Sequence, residues 1–306
     1  MRIKAIKAVY AHFKADSDSL ITSEKNLVFS IDKTFDLYHL MLSLIVDICR
    51  YAQNRIDLGR QKRLPSPEDL NPNTKFVDNR VIAQIAATQP LFDYLERRSL
   101  SWGGSPELIK KLYDALVDSD YYKAYMASDH RSYKEDMKLV ESFYLNEVDN
   151  NELLEEVLEE QSIFWADDLD FALILVMRTL QGARAAQAEL ELLPKYKSDD
   201  DLDFVKELFR KTLVNYKEYL GYVERFTQNW DVDRIAFMDN LIMVTAMAEL
   251  LAFPSIPVKV TLDEYIEIAK YYSTPGSSVF INGVLDKIVD ALGEEGRIEK
   301  TGRGLL

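Results

Sequence analysis

Apolar residues recur every three or four positions through almost the whole chain, the spacing of helices that bury one face. Ile3, Ile6, Tyr10 and Phe13 define a first helix over about Arg2–Lys14, with Lys4, Lys7 and Lys14 as an adjoining stripe. A second, long pattern spans roughly Glu24–Asp57. The stretch Arg60–Lys75, carrying Pro65, Pro67 and Pro72, predicts a connecting loop before helix resumes at Phe76. Ser105 before Pro106 and Ser132 with Glu135 predict further helix starts, and Thr261 with Glu264 predicts a capping box after the Pro257 loop. No run alternates apolar and polar residues between tight Asn-Gly or Asp-Gly turns, so no hairpin is expected. The fold class is all-α.

Asp167-Asp168-Leu169-Asp170-Phe171 is echoed by Asp200-Asp201-Leu202-Asp203-Phe204. Carboxylates in a first turn complement the helix dipole, so the echo predicts two similar helix starts and not a repeat architecture. It lacks the glycine and the twelfth-position glutamate of a calcium loop. The segment 151–160 holds Glu152, Glu155, Glu156, Glu159 and Glu160 with no base among them, which reads as a solvated helix face or as a surface for a basic partner.

Length and composition narrow the class. A chain of 306 residues, 47% hydrophobic and 29% charged, has enough apolar material for one large domain or two ordinary ones. Its longest apolar run, Leu241–Phe253, is broken by Thr245 and Glu249 and is too short to cross a bilayer, so no membrane span is expected. His12 and Lys14 interrupt the N-terminus before an apolar stretch can form, so no secretion signal is expected either. One cysteine, Cys49, sits in an apolar context and suits a buried thiol in a reducing cytoplasm. The net charge of -14 disfavours a non-specific nucleic-acid coat, so any RNA site must be local.

Enzymatic signatures are missing from the sequence. His12, His39 and His130 are far apart and unpaired in metal-ligand spacing, and no phosphate loop, dinucleotide turn or nucleophile elbow occurs. No metal, cofactor or catalytic residue is expected.

A more specific signal lies toward the C-terminus. Trp230-Asp-Val-Asp-Arg234-Ile235 is followed by Asp239, Leu241-Ile242, Ala246 and Glu249-Leu250, then by Ile256-Pro257-Val258-Lys259-Val260 and Asp263-Glu264. The most specific element is Phe280-Ile281-Asn282-Gly283-Val284-Leu285-Asp286-Lys287. In this order these segments resemble the NusB family of transcription antitermination factors, and Ala5-Ile6-Lys7-Ala8-Val9-Tyr10 is similar to that family's opening helix. The resemblance covers residues 1–15 and 200–306. It implies a NusB-like pair of helical bundles, with residues 1–197 forming an N-terminal bundle enlarged by inserted helices and 198–306 the C-terminal helical region.

The resemblance also implies function. NusB-like proteins bind boxA, a short single-stranded RNA element of ribosomal RNA transcripts, beside the small-subunit ribosomal protein NusE, within an antitermination complex on RNA polymerase. Carried over by position, the RNA contacts are Arg2, Lys4, Lys7 and Tyr10 from the first helix and Ser277, Phe280 and Asn282 from the last. Lysine and arginine suit phosphates, aromatics suit unstacked bases, and amides suit base edges. Tyr10 and Phe280 are open between core packing and base stacking.

Gly283 inside a predicted helix costs about 1 kcal/mol relative to alanine, so close approach of another helix or of a ligand is expected there. The chain departs from the family in its short basic N-terminus, from which partner-assisted RNA binding is expected. Asn240 and Val244 also stand where the family carries arginines. Two alternatives stay open: a helical protein-interaction scaffold, and a stand-alone relative of the NusB-like domain of ribosomal RNA cytosine methyltransferases, although residues 288–306 leave no room for a methyl-donor fold.

Overall fold

The computed structural model describes residues 1–15, 19–227 and 236–305. Among these residues every regular element is helical: α1 (Arg2–Lys14), α2 (Leu20–Arg60), α3 (Pro67–Leu70), α4 (Arg80–Ala87), α5 (Gln89–Arg98), α6 (Pro106–Asp118), α7 (Asp120–Ala127), α8 (Tyr133–Phe143), α9 (Glu152–Gln161), α10 (Leu169–Gly182), α11 (Asp200–Val214), α12 (Tyr216–Thr227), α13 (Phe237–Ala252), α14 (Val258–Tyr272) and α15 (Ser277–Glu294). The chain divides into two compact units, residues 1–31 with 196–306, and residues 32–195.

The first unit is built around α13. Its residues from Leu241 to Leu250 are all buried, because this stretch is apolar on nearly every side and must be surrounded. α1, α11, α12, α14 and α15 all pack on it, and α1 also lies along α11. Ala5, Ile6 and Val9 are the buried face of α1, leaving its basic residues on the flank. Val244 is fully buried, so its apolar side chain serves the core.

The second unit has its own core, organised by α2 from Asp32 onward. Three buried aromatics from separate elements donate to α2 carbonyls: Trp102 Nε1 to Leu40 O at 2.9 Å, Tyr144 OH to Met41 O at 2.9 Å, and Trp165 Nε1 to Lys33 O at 2.7 Å. Each large ring is buried without leaving its polar atom unpaired.

Several local expectations change. The predicted loop contains α3, which Ser66 and Asp69 close with a reciprocal capping box. Helix resumes at Arg80 and not at Phe76, because Asn79 caps α4 by accepting from the amides of Val81 and Ile82 at 2.9 and 3.0 Å. Ser132 does cap α8, accepting from Glu135 N at 3.2 Å. The Thr261–Glu264 capping box does not form: α14 begins at Val258, and Thr261 is buried one turn inside it.

Candidate nucleic-acid interface

The sequence-predicted residues sit in the first unit, on α1 and α15. Arg2 is anchored inward. Its Nε and Nη2 donate to the two oxygens of Glu249 at 2.7 and 2.8 Å, and Nη1 lies 3.3 Å from Glu264. Glu249 is fully buried in α13 and also accepts from Thr261 Oγ1 at 2.9 Å and Tyr265 OH at 3.2 Å. Burial opposes charge on Arg2, but its hydrogen bonds to Glu249 and that group's negative charge prevail and hold its pKa above the ordinary value. Burial first, and then the Glu249 charge, raise the Tyr265 phenol well above its usual range. Arg2 thus fixes α1 to α13 and α14 through a bidentate pair.

Farther along α1, a face of a different kind opens. Lys7 Nζ lies 5.1 Å from the Tyr272 ring centre at the end of α14. Tyr10, 37% exposed, meets the ring of Phe237 at the start of α13, 5.7 Å centre to centre. Lys14 Nζ lies over both rings, 5.1 Å from Phe237 and 5.6 Å from Tyr10. Lys7, Tyr10 and Lys14 are spaced three and four residues apart, so one flank of α1 presents them together. Tyr271, 81% exposed, stands beside Tyr272. The result is an array of half-exposed aromatic rings with lysine ammonium groups above them, chemistry that accepts both phosphates and stacked bases.

The start of α15 is held close to α13. Gly276 takes φ +92, a left-handed backbone conformation that glycine adopts without strain, and turns the chain into the helix. Ser277 is buried. Its Oγ donates to Asp239 Oδ2 at 2.9 Å, Ser273 Oγ donates to Asp239 Oδ1, and Thr274 shares a 2.7 Å bond with Ser277. Ser277 therefore positions the α14–α15 junction. Phe280 is half-buried against the core of this unit.

Asn282 lies elsewhere. Two residues along a helix is a rotation of about 200°, which sends Phe280 and Asn282 to opposite flanks of α15. Asn282 donates to Asp286 at 3.1 Å and faces an open groove with Pro257, Val258, Leu262 and Ile266. Lys4 is half-buried one turn before Lys7. Gly283 is exposed, and a methyl group there would meet nothing within 4 Å, so no other helix among the described residues makes the close approach expected of it.

The structure therefore brings together Lys7, Tyr10 and the α13 and α14 ends around them, leaves Arg2 and Ser277 as inward anchors, and separates Asn282. Sequence reasoning missed Phe237 and Tyr272 as members of this face. Their only signal is an aromatic at a helix end, which does not name its neighbour. The Trp230–Ile235 motif lies outside the described residues.

Comparison with known proteins agrees with the C-terminal resemblance. The profile of the NusB family matches residues 171–290. The transcription antitermination protein NusB of Salinibacter ruber is 44% identical over 138 residues, covering 43% of this chain and 86% of that protein. Proteins of the same name from Chloroherpeton thalassium and Natranaerobius thermophilus are 36% and 34% identical, covering 34% and 35% of this chain and 49% and 73% of theirs. No solved structure matches. The match to the S. ruber protein, 44% identical over 86% of its length, together with the family profile, shows that the chain belongs to the NusB family.

Proposed function

We propose that this chain is an RNA-binding antitermination factor for ribosomal RNA transcripts. In this reading it binds a boxA-like single-stranded RNA together with the ribosomal protein NusE, as part of an antitermination complex on RNA polymerase in the cytoplasm. The observation that carries the reading is the α1 face, where Lys7, Tyr10 and Lys14 lie against Phe237 and Tyr272. Lys4 and Lys7 take phosphates, while Tyr10 and Phe280 offer ring faces to bases. Arg2 and Ser277 hold the elements that carry these groups and do not themselves touch RNA. The work is binding without catalysis. Among the described residues no helix is long and apolar enough to cross a membrane, and no cluster of histidine, cysteine or carboxylate side chains is arranged to hold a metal ion.

The test is titration of a ribosomal leader RNA, with and without the ribosomal protein, across a range of salt. Three phosphate contacts to single-stranded RNA give a log-log slope of about -2. Lys4→Glu with Lys7→Glu weakens every RNA alike, and Phe280→Ala weakens binding without unfolding the chain. Absence of sequence-selective binding even with the partner present overturns the reading.

A further inference from the structure

The second unit carries a feature unrelated to the RNA face. Between Leu139 and Met177 the sequence has eleven aspartates and glutamates and not one lysine, arginine or histidine. The same stretch leaves large apolar side chains exposed: Leu145 is 58% accessible, Phe171 51% and Ile174 48%. These are not scattered. Phe171, Ile174 and Arg178 follow one another at three- and four-residue spacing along the outer face of α10. Beside them runs a groove lined by Leu145, Asp149, Asp170, Ile174, Met177 and Arg178.

The backbone explains why Leu145 faces outward. Residues Tyr144–Val148 form a single π-helical turn after α8, and Tyr144 is drawn inward by its bond to Met41 O. A widened turn of this kind redirects the next side chain, and such turns recur at functional sites. With α10 alongside, the result is an apolar groove whose rim carries Asp149 and Asp170 with one base, Arg178. The exposed glutamates of α9, Glu152, Glu155, Glu156, Glu159 and Glu160, add to the negative field of the same segment.

We propose that this groove docks a basic amphipathic helix of a partner protein. Its apolar residues seat on Leu145, Ile174 and Met177, and its lysines or arginines face Asp149, Asp170 and the α9 glutamates. Charge complementarity selects this occupant. Nucleic acid is repelled by a surface on which Asp149, Asp170 and the α9 glutamates outnumber the single cation Arg178, and a second copy of the same acidic surface repels itself. The cationic helix laid apolar side down satisfies both the groove and the field, the helix-in-groove mode of recognition.

The probe is a synthetic helix with leucine along one side and lysine along the other, followed by fluorescence anisotropy against the full chain. Its same-charge analogue with serine replacing leucine is the control for simple charge attraction. Saturable binding is expected for the leucine peptide, with the serine peptide weaker by about tenfold or more. Phe171→Ser with Ile174→Ser reproduces that loss for the leucine peptide, and these half-exposed positions tolerate serine without unfolding the unit. Asp149→Asn with Asp170→Asn weakens binding at low salt and flattens its salt dependence. Equal binding of the two peptides, or no effect of either double variant, overturns the proposal. So does self-association of the chain, read by sedimentation, that Ile174→Ser abolishes.

Discussion

Replacing Arg2 by alanine removes the cation from a carboxylate with no access to water. Glu249 is fully buried, and in the native chain it accepts two bonds from Arg2, one from Thr261 and one from Tyr265. The substitution leaves two neutral donors and an uncompensated charge. Breaking a buried ion pair from one side costs about 3–5 kcal/mol, and because the Arg2 side chain is itself one-fifth exposed, water can reach the vacated space and about 2–3 kcal/mol is the expected loss. Glu249→Gln costs less, since the released guanidinium turns to solvent and Glu264. The double variant Arg2→Met with Glu249→Gln is then more stable than the sum of the single losses implies, by roughly 1–2 kcal/mol. Two compact units can melt separately, so the readout is hydrogen exchange of α13 and α14 peptides alongside urea unfolding followed by circular dichroism. A loss below about 0.5 kcal/mol for Arg2→Ala, or strictly additive single losses, refutes the inward-anchor role and returns Arg2 to the RNA-facing set.

Two further outcomes follow from other sites. Burial lowers the pKa of His39 from 6.5 to about 4. The unfolded chain therefore takes up a proton that the native state refuses: the stability contributed by neutral His39 is complete above pH 6.5 and drains away as pH falls from 6.5 to 4, by about 3 kcal/mol at most. His39→Phe preserves a ring against Tyr94 and flattens this part of the pH–stability curve; equal slopes for the two proteins over that window refute the assignment. Gly283→Ala raises stability by about 0.5–1 kcal/mol, because the position is helical, exposed and open to a methyl group. Thermal melting checks it, and a lower melting temperature contradicts the open-space geometry.

What the sequence made legible and what it hid follow a physical division. α1 was readable to the residue because its apolar spacing is uninterrupted and nothing remote reshapes it. α2 runs three or four residues past its predicted limits at each end, the first turn being helped by Ser19, whose Oγ accepts from Thr22 N. The Thr261 misreading has a tertiary cause. Its hydroxyl matches a capping residue locally, but the buried Glu249 on the preceding helix needs donors, and that demand is invisible in the local pattern. The face proposed to take RNA was half legible for the same reason. The lysines of α1 stand out against an acidic chain, whereas the partnership of Tyr10 with Phe237, and of Lys7 with Tyr272, joins residues more than two hundred positions apart. Ser277 and Phe280, three residues apart, fall into different roles once Asp239 claims the first.

Charge distribution reconciles an acidic protein with the proposed RNA site. Residues 32–195 contain 29 acidic and 19 basic side chains, a net of -10, which leaves -4 of the total -14 for the unit that carries α1. At physiological ionic strength fields decay over about 8 Å, so an RNA at Lys7 and Lys14 responds chiefly to its immediate surroundings and not to the net charge of the chain. At low salt the reach grows, and the negative charge of the chain as a whole then opposes RNA binding while it favours a cationic partner. A basic helix seated on the α10 groove neutralises part of that opposing field. By linkage, any aid it gives to RNA binding is returned as tighter binding of the helix when RNA is present. Such coupling is electrostatic in origin, so it fades as salt rises, whereas coupling through a conformational change would persist.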